Sequence, residues 1–420
     1  MAKLEYIHYS AHRPEIVFRS VQWVPESSVR SVNRLPHIFW EDGYPWSEAN
    51  LWALEMGRNR EVQIKTVISL MEHLHKYANW LEQEQADWRH FPQNKAERVL
   101  VRYRGALVDS RDRGELSPST TTARMRAVIR FYRYAAGHNF ISRDAPKWQD
   151  KLVLLRYFDT VGFERTLQRL TTDISIPNRA RPGLRLEDGL LPLTSEHMLD
   201  LLRFAKESAS EEVYLMLLIA CFTGARLGTI TTLRVPSLQD ALRDPTVPGM
   251  WIVPVGPGTS IETKFDVSGD LLLPEPLMRT LRSYASSRRH LDRVIEAAPS
   301  DKPFLFLTRH NKPYKPTSVD REMVNLRRNG QAAGLKFLQK FKFHQTRATY
   351  GTWLMTICLK AGTVKAAIEF VKRAMLHKHE ATTFGYIKFI EHTHAKIEVA
   401  NAFTEAFLGL KERLKETVNA

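Results

Sequence analysis

The sequence predicts a mainly α-helical protein with a small β-sheet, arranged as a helical domain followed by a mixed α/β domain. Three observations lead there. Long stretches carry apolar residues at steps of three and four, the spacing that lines one face of an α-helix. Two short runs in the second half, Trp251–Val255 and Leu271–Leu273, read as strands around a Gly/Ser-containing hairpin region. Between the halves, residues 141–189 lose helical periodicity and gather Pro177, Pro182, Gly183 and Gly189 with several arginines. At 420 residues the chain exceeds one ordinary domain, so two or three compact units are expected.

In chain order, residues 1–45 form an N-terminal extension with a strand-like run around Ile16–Val24 and no assignable role. From Ile64, the positions Val67, Met71, Leu74, Ala78 and Leu81 mark an amphipathic helix. A second helix is expected over Lys95–Leu107. A third starts at Ser117-Pro118, where serine caps and proline fits the first helical position. This third helix carries Met125, Val128, Ile129, Tyr132 and Ala136 on one side and Arg126, Arg130 and Arg133 on another. Residues 46–140 thus read as a helical domain with one basic face, either a solvated surface or one that tracks phosphates. Residues 141–189 read as a basic linker, with a short strand at Asp173–Ile176. A larger domain follows over 190–390, opening with helical pattern at Ser195–Ala209 and a uniformly apolar, buried helix at Glu211–Cys221.

The bulk numbers narrow the partner. Lys plus Arg number 61 against 46 Asp plus Glu, a formal charge of +15, which favours a polyanion. Cys221 and Cys358 are the two cysteines, and each lies in an apolar stretch without a metal-ligand pattern, so both read as buried reduced thiols. The N-terminus carries charges where a signal peptide needs an apolar run, and no stretch approaches the ~18 apolar residues of a membrane span. A cytoplasmic location without membrane association is expected.

Three segments in the second half carry chemistry. In CFTGARLGTITTLR, Arg226 follows a glycine at the end of the buried helix, where a fixed guanidinium can meet phosphate in a bidentate way. In FHQTRATYGTWL, His344 and Arg347 stand three apart and share a helical face. In MLHKHEATTFGY, His377 precedes Tyr386 by nine residues. Singly these are weak signals. Together they hold what metal-free cleavage of a phosphodiester needs: a nucleophile, cations for the non-bridging oxygens and proton-transfer groups.

In that order and company the chain resembles the tyrosine site-specific recombinases of the phage-integrase family, over roughly residues 50–390. TGAR226 matches their first box, His344-Gln345-Thr346-Arg347 the HxxR box, and Met375-Leu376-His377 with Thr382-Thr383-Phe384-Gly385-Tyr386 the last. The resemblance implies a helical, SAM-like core-binding domain followed by the mixed α/β catalytic domain. It implies that Arg226 and Arg347 clamp the scissile phosphate and that Tyr386 attacks it to leave a 3′-phosphotyrosine. His344 would assist proton transfer, and His377 would hydrogen-bond a phosphate oxygen. Lys264, in SIETKFDVSGDLLLP, is the best match for the lysine that protonates the leaving 5′ oxygen.

No cofactor or metal is implied. The implied partners are double-stranded DNA with a specific recombination site, a synaptic tetramer of the same chain, and accessory proteins, in the service of a mobile genetic element. Residues 391–420, with Ala400, Phe403, Phe407, Leu410 and Leu414 at heptad-like spacing, read as a helix packed on its own domain or exchanged between subunits.

The sequence departs from the family pattern in places. Thr229 stands where an acidic residue is common, Leu376 replaces the glycine before the second histidine, and His379 rivals His377 for that role. The competing readings are a catalytically silent DNA-binding protein of the same fold and a type IB topoisomerase-like enzyme. A metal-dependent nuclease fares badly because no carboxylate cluster has metal-ligand spacing.

Overall fold

The structure, a computed structural model, describes residues 1–158, 164–178, 186, 189–378, 380 and 382–394. The chain divides into two compact units, residues 1–182 and 183–420.

In the first unit, strands β1 (Lys3–Tyr9) and β4 (Val32–Phe39) pair antiparallel, and β2 (His12–Val17) and β3 (Ser20–Pro25) form a hairpin. The single strand-like run expected over 16–24 is therefore two strands. The chain reverses at Phe18 and Arg19, whose φ values of 47° and 66° are left-handed. Strand β4 buries Leu35 and Ile38 against helices α1 (Ser47–Arg58) and α2 (Ile64–Gln83), and the Asn50 side chain satisfies both the N–H and C=O of Ile38, at 2.7 and 3.0 Å.

On α2 the five residues picked out by periodicity are all buried. The helix expected over 95–107 is instead a 3₁₀ turn at Lys95–Glu97 followed by α3 (Val99–Asp112). Helix α4 (Pro118–Gly137) starts where the cap predicts, with Ser117 Oγ accepting from the Thr120 N–H at 3.2 Å. Trp46, Trp88, Phe131 and Tyr132 meet edge to face or tilted in the core.

Residues 150–172 correct the expectation of a structureless linker. Strands β5 (Asp150–Phe158) and β6 (Glu164–Thr172) pair in register along their whole length. The strand expected at 173–176 is absent, because Ile174 and Ile176 alternate inward onto the helical core without a ladder partner, which mimics a strand pattern. Asp173 anchors this stretch by accepting from Lys95 Nζ (2.7 Å) and the Gln149 N–H (2.9 Å).

The second unit opens with α5 (Ser195–Ser208) and α6 (Glu211–Thr223), the latter buried around most of its circumference as its composition predicts. Two single-turn helices, α7 (Leu227–Thr231) and α8 (Val235–Gln239), lead into a three-stranded antiparallel sheet ordered β7 (Leu242–Arg243), β8 (Met250–Val255), β9 (Gly269–Pro274). Helices α9 (Glu275–Ala285), α10 (Arg288–Glu296), α11 (Pro316–Ala332), α12 (Gln345–Ala361) and α13 (Val364–Ala374) follow, and residues 382–394 are helical.

Glu212, fully buried at the start of α6, accepts from Arg289 (2.7 and 3.1 Å) and from the Tyr284 hydroxyl (3.0 Å), with Arg293 at 2.8 Å. Cys221 is buried and its thiol is pushed up to about 12 by desolvation, whereas Cys358 is only partly buried, since it lies near the exposed end of α12. Among the described residues no helix is long and apolar enough to cross a membrane.

Candidate active site

Helix α6 ends at Gly224, whose φ of 63° is the left-handed conformation that closes a helix and that glycine adopts without strain. The turn presents two groups. The Gly224 carbonyl points at α12, and Arg226 caps α7 two residues later. His344 is the N-cap of α12, so that Arg347 falls in the first turn of the helix and enters the core at 1% exposure. A guanidinium so buried requires acceptors on every side. Arg347 Nη1 donates to the Gly224 carbonyl and Nη2 to the Met375 carbonyl, both at 2.5 Å.

Arg226 Nη1 donates to the next carbonyl along, that of Leu376, at 3.4 Å. The two arginines therefore converge on successive carbonyls of the turn that follows α13. Leu376 in that turn has φ 52°, so the position where the family pattern places glycine keeps the left-handed backbone although a leucine occupies it.

His377 comes next and is 4% exposed. Its Nδ1 shares a 2.8 Å hydrogen bond with the Thr383 hydroxyl, itself fully buried, which fixes the ring and turns Nε2 to other partners. The Tyr386 ring stacks on the His377 ring with centroids 6.0 Å apart, and Tyr386 is 1% exposed. His344, half-buried, lines a groove of about 400 Å³ with Leu227, Asp320, Arg327, Lys342 and Phe343.

Lys264 sits on a 3₁₀ turn between β8 and β9 and is exposed. Its Nζ lies 5.1 Å from the Phe265 ring centroid, and Lys378 Nζ approaches the same ring at 5.8 Å, so the lysine turn is brought beside the His377 segment. The structure thus gathers Arg226, Arg347, His377 and Tyr386 around one turn and leaves Lys264 at its edge. His379, the rival histidine, lies outside the described residues. Arg126, Arg130 and Arg133 are exposed on α4 in the first unit, with Arg133 paired to Asp150 at 3.0 Å. Among the described residues there is no cluster of His, Cys, Asp and Glu that could hold a metal ion.

Sequence reasoning missed Thr383, although it lies inside the final box, and Gly351, which carries no chemical group. A Cβ on Gly351 would stand 2.5 Å from Tyr386 Cε1 and 2.6 Å from Met375 Sδ, so its signal is purely steric.

The second unit gathers two arginines, a histidine and a tyrosine around one turn, with Arg347, His377 and Tyr386 buried and Arg226 partly buried, a set suited to holding and attacking a phosphate. Residues 192–390 match the phage integrase family, so this part of the chain is that of a tyrosine recombinase, a site-specific enzyme that acts on DNA. The fold is similar to that of the Tn1549 transposon integrase in complex with a circular intermediate DNA, with a TM-score of 0.52 and 15% identity over 81% of this chain and 94% of that one. It is also similar to a lambda integrase dimer bound to a COC′ core site, with a TM-score of 0.50 and 15% identity over 81% and 94%. At this identity the likeness is one of fold. No curated protein matches the chain.

Proposed function

We propose that this recombinase cuts duplex DNA at a specific site with Tyr386 as nucleophile, holding the strand as a 3′-phosphotyrosine and releasing a 5′-hydroxyl before rejoining it to a new partner. The observation that carries the reading is the convergence of Arg226 and Arg347 on the carbonyls of residues 375 and 376, immediately before His377 and within one turn-and-helix of Tyr386. A non-bridging phosphate oxygen offers these guanidiniums the same acceptor chemistry with a full charge added.

In this reading Arg226 and Arg347 neutralise the phosphate as charge builds on it, and His377 donates from Nε2 to one of its oxygens. His344 takes part in proton transfer at the tyrosine. Lys264 swings in from its exposed turn to protonate the leaving 5′ oxygen. The row Arg126, Arg130 and Arg133 tracks backbone phosphates.

The Tn1549 and lambda integrases are solved on DNA, lambda integrase as a dimer on a core site, and the same substrate class is proposed here. Assembly into a synaptic tetramer, help from accessory proteins and service to a mobile element in the cytoplasm belong to the same proposal. The C-terminal segment that would pack in place or be exchanged falls largely on residues 395–420, outside the described residues. The test is to trap the protein on nicked suicide DNA and sequence the attached fragment. A 3′-linked adduct mapping to Tyr386 supports the reading, and a magnesium requirement for cleavage defeats it.

A further inference from the structure

The turn that carries Lys264 is held at its base and open at its tip. Its two limbs touch where Gly256, with φ 100°, passes Val267 so closely that a Cβ would lie 2.5 Å from the Val267 carbonyl oxygen. The Thr263 hydroxyl donates across the turn to that same oxygen at 2.8 Å. Buried Ile261 roots the turn in the core of the second unit. The Glu262 N–H donates to the Thr232 hydroxyl at 3.0 Å, and Thr232 closes α7, the short helix that Arg226 opens. The lysine turn is therefore tied to the element that bears one of the two converging arginines.

Phe265, at the tip, is not explained by that anchoring. It is 55% exposed, and together with Asp266 it holds left-handed backbone, at φ values of 65° and 52°. A solvated turn in this region is better served by glycine or asparagine than by a bulky ring. The ring, however, meets two cations. Lys264 Nζ lies 5.1 Å and Lys378 Nζ 5.8 Å from its centroid, both inside the reach of about 6 Å over which the face of an aromatic ring attracts an ammonium. Lys378 directly follows His377. One exposed ring thus links the lysine turn to the segment that carries the catalytic histidine.

We propose that Phe265 is a positioning residue for Lys264: its ring holds the ammonium at the edge of the catalytic turn, and through Lys378 it ties the lysine turn to the His377 segment. The inference rests on the reading of Lys264 as the acid. In that reaction the Tyr386 oxygen bonds to phosphorus as its proton passes to His344. The bond from phosphorus to the 5′ oxygen breaks with its electron pair on that oxygen, and Lys264 gives this oxygen a proton and is left as a neutral amine. A proton donor helps only within hydrogen-bond reach as the bond breaks, and a lysine on its flexible stem spends little time in any one place. The ring confines it nearby. A phosphate offers the ammonium a full charge where the ring offers a partial one, so DNA draws Lys264 off the ring over a short path.

The test times single-turnover cleavage of suicide DNA by the full-length protein on two substrates, with DNA affinity measured in parallel. One substrate is ordinary, and in the other the bridging 5′ oxygen is replaced by sulfur. Phe265→Asn removes the ring but keeps a residue that tolerates the left-handed backbone, so the turn is preserved. It is expected to slow cleavage of ordinary DNA about fivefold, the weight of an exposed contact between a cation and a ring. On the sulfur-substituted substrate it should match the wild type, at unchanged affinity. Phe265→Tyr puts a ring back and is expected to recover the rate on ordinary DNA. Lys378→Gln should show the same selective loss in smaller measure.

A wild-type rate for Phe265→Asn on ordinary DNA overturns the inference. Equal slowing on both substrates overturns it too, because the ring would then serve binding or folding rather than the acid, and so does a failure of Phe265→Tyr to recover the rate. A wild-type rate in Lys378→Gln overturns the tie to the His377 segment. Lys264→Ala, run alongside, separates the two levels. If it regains rate on sulfur and Phe265→Asn does not, the acid reading stands and this inference falls, whereas a Lys264→Ala protein that regains nothing defeats the acid reading itself.

Discussion

Gly351 lies directly against the ring of Tyr386, so that a Cβ on Gly351 would stand 2.5 Å from Cε1 and 2.6 Å from Cζ. Helix α12 therefore supplies Arg347 in its first turn and, one turn later, the floor on which the tyrosine rests. Gly351→Ala is expected to destabilise the second unit by about 1–3 kcal/mol through overpacking. It should also reduce covalent adduct formation by displacing Tyr386. Denaturant unfolding and adduct yield on suicide DNA check this, and an alanine variant that cleaves like wild type would show that the ring position is irrelevant to attack.

Tyr386→Phe removes only the hydroxyl. A phenol ionises near pH ~10 and needs neighbouring cations to attack at neutral pH. The variant should keep fold and DNA affinity and form no adduct. Arg347→Ala should lose cleavage by several kcal/mol of transition-state stabilisation, on the order of 10³-fold in rate. It should also unfold more easily, because the carbonyls of Gly224 and Met375 lose their donor. A folded Arg347→Ala protein with normal cleavage would remove Arg347 from the site.

Lys264 is exposed in the DNA-free protein, so Lys264→Ala should leave stability unchanged. If it protonates the leaving oxygen, the variant cleaves ordinary DNA slowly and regains rate on a substrate whose bridging 5′ oxygen is replaced by sulfur, since a thiolate leaves without an acid. Equal impairment on both substrates would assign the lysine to binding instead.

Glu212 is expected to contribute to the loss of stability in acid. Burial pushes its carboxyl pKa up, but the Arg289 hydrogen bonds and the Arg293 charge outweigh this and hold it below the usual carboxylate range. A depressed folded pKa contributes stability that is fully present above the unfolded value, about 4.3, and lost as pH falls through the folded one. Glu212→Gln should thus be less stable than wild type at neutral pH, by about 3–5 kcal/mol for a broken buried pair. The gap should narrow as the pH drops below that unfolded value. Urea unfolding at several pH values reads both limbs, and parallel curves would show that the carboxylate charge contributes nothing.

The helices were legible because burial writes itself into sequence at a period of three to four, as on α2, and because Ser117-Pro118 and Gly224 punctuate their ends. The hairpin over 150–172 was not. Leu152, Leu154 and Leu170 remain more than half exposed, so its two strands lack the one-sided burial that makes a strand stand out. In the site, the charged and aromatic groups were legible by order and spacing. What stayed hidden were contacts made through backbone and space: the carbonyls of Gly224, Met375 and Leu376 that receive the arginines, and the room left at Gly351.

Leu376 and Gly269 are mechanically coupled. Leu376 holds a left-handed backbone, and its side chain reaches over β9 so that a Cβ on Gly269 would lie 2.5 Å from its Cδ2. That atom is the far end of a flexible side chain, so Gly269→Ala is expected to turn the Leu376 side chain rather than to break the strand, and the turn that leads into His377 would register a change made on the sheet. The cost of Gly269→Ala should shrink once Leu376→Gly has removed the side chain, a non-additivity that a double-mutant cycle in urea unfolding reads directly.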